Sequence, residues 1–289
     1  MANTRQVKQR IGTAKNISKI TRAMEMVSAS KMRKAQQQAL ATRDYSQALN
    51  HSLEILAPMV DENIHPLLKP SKAGRALAVV VATDRGLCGS LNQALFKELT
   101  VWLRQHPKSE VIAAGKKATH FCSFYGIPIF AQFNDLPDSV KTADILPITS
   151  LVTKEFIEEK ASVVEIFYMD FVNTLVQKAY HFQLLPLAKF AEQKEDDKRV
   201  AQTAEYLFEP NAQAIFNSLL PYYVENSLYQ AFLEARASEH SARMVTMKNA
   251  SENADELISE LKLIFNKQRQ AAITNELLDI TTATLSLNG

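Results

Sequence analysis

Glycine and proline are confined almost entirely to the middle of this chain, and that confinement dictates its layout. Residues 1–57 hold no proline and one glycine, Gly12, and residues 222–288 hold neither. Nine of the ten prolines and five of the seven glycines fall within 58–210. These are the two residues a long helix does not easily carry: proline lacks the backbone donor and clashes with the preceding turn, and glycine loses the most backbone entropy. The pattern predicts a long helix, a compact middle and a second long helix. Neither long helix can bury its apolar stripe alone. The simplest partner for each is the other, in an antiparallel coiled coil with a globular domain inserted between its strands. The expected boundaries are 1–57 with 211–289 for a discontinuous helical shaft, 75–200 for the globular domain, and 58–74 and 201–210 for the connections.

Heptad spacing refines the helical arms. In the C-terminal arm Met247, Ala250, Ala254, Leu257, Leu261 and Ile264 follow strict 3,4 steps, continued by Gln268, Ala271, Asn275 and Leu278. Such a repeat predicts a left-handed supercoil. Ala250 and Ala254 are small enough for a partner helix to approach closely. Gln268 and Asn275 put polar groups on the seam near the far end, which either fixes register or marks a helix that outruns its partner. The N-terminal arm is less regular. Ile17, Ile20, Met24 and Val27 form a stripe, Lys31 and Lys34 take the next heptad positions, and the stripe moves to Met32, Ala35 and Ala39. Tyr45, Ala48, Ile55 and Met59 resume the first frame, so this seam is expected to drift. At ~70 residues the C-terminal arm would reach about 100 Å, the length of a shaft or a bridge.

At 46% hydrophobic and 22% charged residues, the 289-residue chain has the composition of a folded protein. Its net charge of +2 conceals an asymmetry: residues 1–57 carry ten Lys/Arg against Glu25, Asp44 and Glu54, which leaves −5 for the rest. A basic helix reads as a docking face for something acidic, whether nucleic acid, an anionic membrane surface or acidic loops of a protein. The longest apolar run, Ala76–Ala82, is far too short to span a bilayer, and MANTRQVKQRIG lacks the apolar core of a secretory signal. A cytoplasmic protein, or one peripheral to a membrane, is expected. Cys88 and Cys122 lack metal-ligand spacing and make a poor disulfide framework, so they read as reduced, half-buried thiols.

The middle reads as a small mixed sheet with helices on its faces. Ala76–Ala82 is continuous, apolar and β-branched, as in a strand covered on both sides. The turn Thr83–Gly89 follows, then a helix capped by Ser90 or Asn92. Val111–Ala114 and Ile127–Phe133 read as strands around a helix at Lys116–Tyr125, and Ala143–Lys160 as a further helix. Ser162–Met169 and Val176–Leu185 read as a hairpin. A glycine-bearing turn between strand and helix can hold phosphate. The stretch DRGLCGSLN, however, has neither G-x-G-x-x-G nor G-x-x-x-x-G-K-[ST], so a structural turn with Arg85 pairing outward is preferred. No metal-ligand cluster and no Ser/His/Asp set is evident, and nothing argues for an enzyme or a cofactor.

These motifs converge on a family. Ile20–Lys34, ITRAMEMVSASKMRK, closely resembles the N-terminal helix of the γ subunit of rotary F-type ATP synthases. Thr83–Asn92, TDRGLCGSLN, resembles that family's internal turn, with Ser90 where a second glycine is usual. Ser238–Met247 and Phe265–Glu276 resemble its C-terminal signature, and the likeness runs in order over nearly the whole chain. The closest similarity is to the bacterial form, since the cysteine-bearing regulatory segment of the chloroplast form is missing.

The resemblance implies a fold and a role. The fold is a long antiparallel left-handed coiled coil of the terminal helices with an inserted, small, Rossmann-like α/β domain. The role is a central-stalk rotor without its own active site, one copy inside a ring of three α and three β subunits. Its foot would rest with the ε subunit on the membrane ring of c subunits, at the cytoplasmic face of the bacterial inner membrane. Matching positions place Arg22, Met24, Lys31, Arg33 and Lys34 near an acidic loop on each β subunit. They place Arg243, Gln270, Thr274 and Glu276 at polar coupling contacts with β, and Tyr206, Phe208 and Glu209 against the polar loops of the c ring. Catalysis would lie on the ring, with no cofactor or metal on this chain. At the tip, Asp279-Ile280 is followed by Thr281-Thr282-Ala283 where the family typically has Gly-Ala, and threonine is a weaker helix former than alanine.

Two other classes compete with this reading. A nucleic-acid binder would use the basic arm, but Tyr45 is its only interleaved aromatic. A nucleotide-dependent enzyme would use the sheet, but lacks the phosphate motif. From the residues without the resemblance, a coiled-coil adaptor ranks first, the nucleic-acid binder second and the enzyme third.

Overall fold

The computed structural model describes residues 4–60, 65–69, 74–187 and 208–287, with side chains described as far as residue 283. The elements in chain order are α1 (Thr4–Leu56), a 3-10 turn (Ala57–Met59), β1 (Arg75–Val81), α2 (Leu91–Gln105), β2 (Glu110–Ala114), α3 (Lys116–Tyr125), β3 (Ile129–Phe133), α4 (Thr142–Ile157), β4 (Ala161–Phe171), β5 (Gln177–Leu185) and α5 (Ala212–Leu287). They fall into two compact units: residues 1–28 with 243–289, and residues 29–242.

In the larger unit the sheet order is β3-β2-β1-β4-β5, with the first four strands parallel and β5 antiparallel to β4. The expected strand–helix alternation and closing hairpin are therefore both present. β1 is buried on both faces, and its side chains alternate between two cores. Leu77, Val79 and Val81 join α4 and the halves of α1 and α5 that belong to this unit. Ala76, Ala78 and Val80 join Leu91, Leu95, Leu99 and Trp102 of α2 and Ala118 and Cys122 of α3. The α2 residues recur at helical spacing, which is why that segment is a helix with one apolar face. Both cysteines are fully buried rather than half-buried, and burial pushes the Cys122 thiol up to about 11.

Helices α1 and α5 run antiparallel in this unit. Thr42 donates to Gln230 at 2.7 Å, and one turn further along Asn226 donates to Ser46 at 2.8 Å. α5 begins ten residues earlier than its proline-free stretch: Asn211 accepts from the Ala214 N–H at 2.8 Å as an N-cap, and Pro221 is carried within the helix. At the other end Thr281 and Thr282 return their hydroxyls to the Leu277 and Leu278 carbonyls at 2.8 and 2.6 Å. The helix continues through the threonines to Leu287.

The seams differ from the expected ones. On α1 the buried positions are Val7, Ala14, Ser18, Thr21 and Ser28 in the smaller unit, with Ile11 and Glu25 half-buried between them. In the larger unit the same 4,3 spacing continues through Met32, Ala35, Ala39 and Thr42 to Leu49, Leu53 and Leu56. The frame does not drift. Its first part is small and hydroxylic, whereas the predicted stripe of Ile17, Ile20 and Val27 is exposed, with Met24 half-buried; Tyr45, Ala48 and Met59 are exposed too. On α5, Met247, Ala254 and Leu261 are on the seam as expected, but the alternate positions are Ser251 and Ile258 rather than Ala250 and Leu257. The physical reason is close approach. Ala14, Ser18 and Thr21 let the backbones come nearer than isoleucine allows, and Ser18 donates to Asp255 across the pair at 2.8 Å. Thr21 satisfies its own hydroxyl on the Ile17 and Ser18 carbonyls.

Candidate functional site

In open α/β sheets ligands bind beyond the carboxyl ends of the strands, where the strand order reverses. Here that point is the end of β1, between β2 and β4. The crevice is lined by Val81, Thr83, Asn92, Gly115 and Met169 of the sheet domain and by Phe232, Ala235, Arg236 and Glu239 of α5. Its free space is about 10 Å³, room for no more than one water. Phe232, Ala235, Arg236 and Glu239 of α5 pack over the carboxyl end of β1 and leave little free space there.

The turn after β1 is likewise consumed by internal contacts. Asn92 accepts from the Thr83 N–H at 3.3 Å and donates to the Thr83 hydroxyl at 2.8 Å, which in turn donates to the Arg85 carbonyl at 2.8 Å. Asn92 therefore serves as a turn staple, and Ser90 stands at the N-cap of α2 without a side-chain cap bond. Gly115, with φ of +101°, closes the crevice from β2. A Cβ there would lie 2.3 Å from the Ala82 carbonyl oxygen, so only glycine fits.

Around this edge lies a network of charges that the sequence reading did not find. Asp84 accepts from the Lys116 N–H at 3.0 Å and the Asp135 N–H at 3.3 Å. Arg236 donates to Glu239 at 2.7 Å and to the Leu136 carbonyl at 2.7 Å, and lies 3.5 Å from Asp84. Lys31 of α1 pairs with Asp138 at 2.6 Å, and His240 lies 3.7 Å from the same carboxylate. Burial alone would raise the Asp138 pKa. The Lys31 hydrogen bond and charge, aided by His240 and Arg236, outweigh it and hold the carboxyl below its usual value.

The predicted contact residues separate accordingly. In the smaller unit Arg22, Gln270, Thr274 and Glu276 are exposed, Met24 is half-buried and Arg243 is buried. In the larger unit Arg33 and Lys34 are exposed, while Lys31 is engaged by Asp138. Phe208 packs against the core and Glu209 is exposed; Tyr206 lies outside the described residues. In the smaller unit large apolar side chains face outward beside the basic ones. Ile20 is 60% exposed, Val27 54% and Leu263 72%, and Ile264, Ile273 and Leu277 share this exposure. Among the described residues no helix is long and apolar enough to cross a membrane, and no His/Cys/Asp/Glu group could hold a metal.

A family model described as ATP synthase matches residues 3–287. An ATP synthase gamma chain of Dehalococcoides mccartyi is 41% identical over 290 residues, covering 99% of this chain and 100% of that one. This chain belongs to the ATP synthase gamma-chain family. A gamma chain of Xylella fastidiosa is 39% identical over 285 residues, covering 97% of this chain and 98% of the relative. The fold agrees with this membership. A chain from the Euglena gracilis mitochondrial ATP synthase rotor superposes with a TM-score of 0.65 at 20% identity, covering 93% of this gamma-family chain and 98% of its counterpart. A chain from the central stalk and c-ring of the Tetrahymena thermophila enzyme gives 0.60 at 26% identity, over 80% and 99%. As a gamma-family chain, the protein is a component of the central stalk of a rotary ATPase.

Proposed function

We propose that this chain is the rotor shaft that couples ion-driven rotation of a c ring to ATP synthesis or hydrolysis on an α3β3 ring, with no active site of its own. The observation that carries this reading is the inside-out character of the smaller unit. Its α1 seam is mostly small and hydroxylic at Ala14, Ser18, Thr21 and Ser28. Although Val7, Met247, Ile258 and Leu261 are buried, Ile17, Ile20, Val27, Leu257, Leu263, Ile264, Ile273 and Leu277 face outward. An apolar surface of that kind marks a contact with other chains. A helix pair that completes its burial inside a sleeve of other subunits has reason to be built this way.

In this reading 1–57 with 211–289 form the shaft and 75–200 the foot, which rests with ε on the c ring at the cytoplasmic face of the bacterial inner membrane. Arg22, Met24, Arg33 and Lys34 meet acidic loops of β, and Arg243, Gln270, Thr274 and Glu276 couple the second helix to β. Exposed ion pairs are individually weak, which suits contacts that must form and break on every turn. By resemblance Tyr206, Phe208 and Glu209 belong to the contact with the c-ring loops; of these Glu209 is exposed and Phe208 also packs against the core. Lys31 stands with the β contacts by resemblance, but its tie to Asp138 supports an internal role.

The test is reconstitution. Co-expressed with α and β subunits and purified through a tag on β, the chain is expected in a stable ATPase at one copy per three β. Failure to form any complex would refute the proposal. Within such a complex, Arg33→Glu with Lys34→Glu is expected to lower the ions pumped per ATP while the chain still folds. An unchanged pumping ratio would remove these two residues from the β contact.

A further inference from the structure

We infer that the charged cluster at the carboxyl edge of the sheet is the joint that locks the foot domain to both helices, so that they turn as one body. The inference rests on the rotor role proposed above and names residues that role does not require.

Apolar packing resists separation but is non-directional, and a buried helix can turn or slide against it while keeping most of its contact area. Charge-assisted hydrogen bonds have fixed directions and lengths, and so fix rotation and register. The cluster places such bonds across each joint. Arg236 of α5 holds the Leu136 carbonyl in the β3–α4 loop and stands beside Asp84 after β1. From the same loop, Asp138 takes Lys31 of α1 and approaches His240 of α5, and Ser139 accepts from Gln38 of α1 at 2.8 Å. Asp84 pins both the start of α3 and the loop itself through two backbone N–H groups.

A second ionic cluster among the described residues shows what is specific here. Arg75 bridges Glu110 at 2.6 Å and Glu155 at 2.9 Å, joining β1, β2 and α4 within the foot domain alone. The Arg236 cluster instead joins the foot to both helices. It is also costly. The Arg236 side chain is 9% exposed and that of Glu239 5%. Buried pairs lose solvation that apolar residues of equal volume would not, so their clearest use is to specify geometry.

The experiment uses the full chain and the reconstituted complex. Arg236→Met with Glu239→Gln removes the buried pair together and leaves neither charge stranded; Asp138→Ala removes the half-exposed anchor. Hydrogen exchange on the isolated chain is expected to speed up at least tenfold in residues 134–141 for both variants, with β1 and β2 unchanged. In the complex, ATP hydrolysis without load is expected to stay within twofold of the parent, while the ions pumped per ATP against an opposing gradient fall severalfold. Arg236→Lys, which keeps the charge but not the fork, is expected to fall between. Unchanged exchange in 134–141 would overturn the joint even if no complex forms, and unchanged pumping under load in an assembled complex would overturn its mechanical role. If the double variant fails to fold, Asp138→Ala decides the question by the same two readouts.

Discussion

The two units of this molecule spend their apolar residues in opposite ways. Residues 29–242 bury them: both faces of β1 are sealed, and α5 is closed in on nearly every side from Ala231 to Ala242, where only Glu234 stays half-buried. Residues 1–28 with 243–289 bury Val7, Met247, Ile258 and Leu261 but otherwise mainly alanine, serine and threonine, and turn Ile17, Ile20, Val27, Leu257, Leu263 and Ile264 outward. The larger unit has two sealed cores, although Phe124, Tyr125 and Leu175 are exposed at its surface. The smaller unit leaves much of its apolar surface uncovered, which is the surface the proposed ring would cover. The same two helices, α1 and α5, supply both, so the difference is written in which heptad positions carry the large residues.

The largest expected effect tests the sealed region. Phe232 is fully buried and fills the crevice at the end of β1. Phe232→Ala is expected to cost about 3–5 kcal/mol in denaturant unfolding of the isolated chain. A loss below about 1 kcal/mol would mean that α5 does not seal the sheet, and the contrast between the units would fail. An intermediate effect is expected in the smaller unit. Ala254 is buried on the close seam, and Ala254→Leu is expected to destabilise that unit by about 1–3 kcal/mol through overpacking. Hydrogen exchange should quicken in 4–28 and 243–270 while the sheet stays protected; uniform protection would put the seam elsewhere.

Much of this was legible beforehand, and the reasons are physical. Ala76–Ala82 announces a doubly covered strand by itself, because alternation disappears when both faces are buried. The helix limits of α3 come directly from Gly115 and Gly126, the latter in a left-handed C-cap with φ of +66°. The seams are harder to read, because hydrophobicity alone, taken as a guide, points to the wrong positions. At Leu257/Ile258 and Ile264/Phe265 the sequence offers two adjacent apolar frames, and only the small residues opposite decide between them. On α1 the guide points to the wrong face altogether, since Ile17 and Ile20 serve an outer surface. Arg236 was invisible for another reason. In EARASEH it looks like an ordinary exposed helix charge, and its burial depends on Asp84 and Leu136, 152 and 100 residues away.

A smaller effect concerns pH. Asp138 has a folded pKa below its unfolded value near 3.9, so its carboxylate form is the one the fold favours. Its contribution is then present above about pH 4 and is lost as pH falls through the folded pKa. Its side chain is 54% exposed, so solvent screening limits the contribution to under about 1 kcal/mol. Asp138→Asn should therefore be slightly less stable than the parent at pH 7, and the two should converge below about pH 4. A constant difference across that range would assign the effect to packing rather than to Lys31, His240 and Arg236.

The smallest expected change in stability is the one that separates the two regions most sharply. Ile20 and Val27 are large apolar residues on a helix, and by composition alone they belong to a core. Exposed as they are, replacing both by glutamine removes little buried area and gains slightly in helix propensity over β-branched residues. Unfolding of the isolated chain should shift by no more than about 0.5 kcal/mol. In the presence of α and β subunits the same variant should assemble at least tenfold more weakly, because the apolar area it loses is the area the ring would cover. The two measurements must diverge. If stability falls by several kcal/mol, these residues belong to an internal seam. If assembly is unaffected, the outward-facing apolar surface of the smaller unit is not what the ring holds, and the inside-out character of that unit has no bearing on its place in the complex.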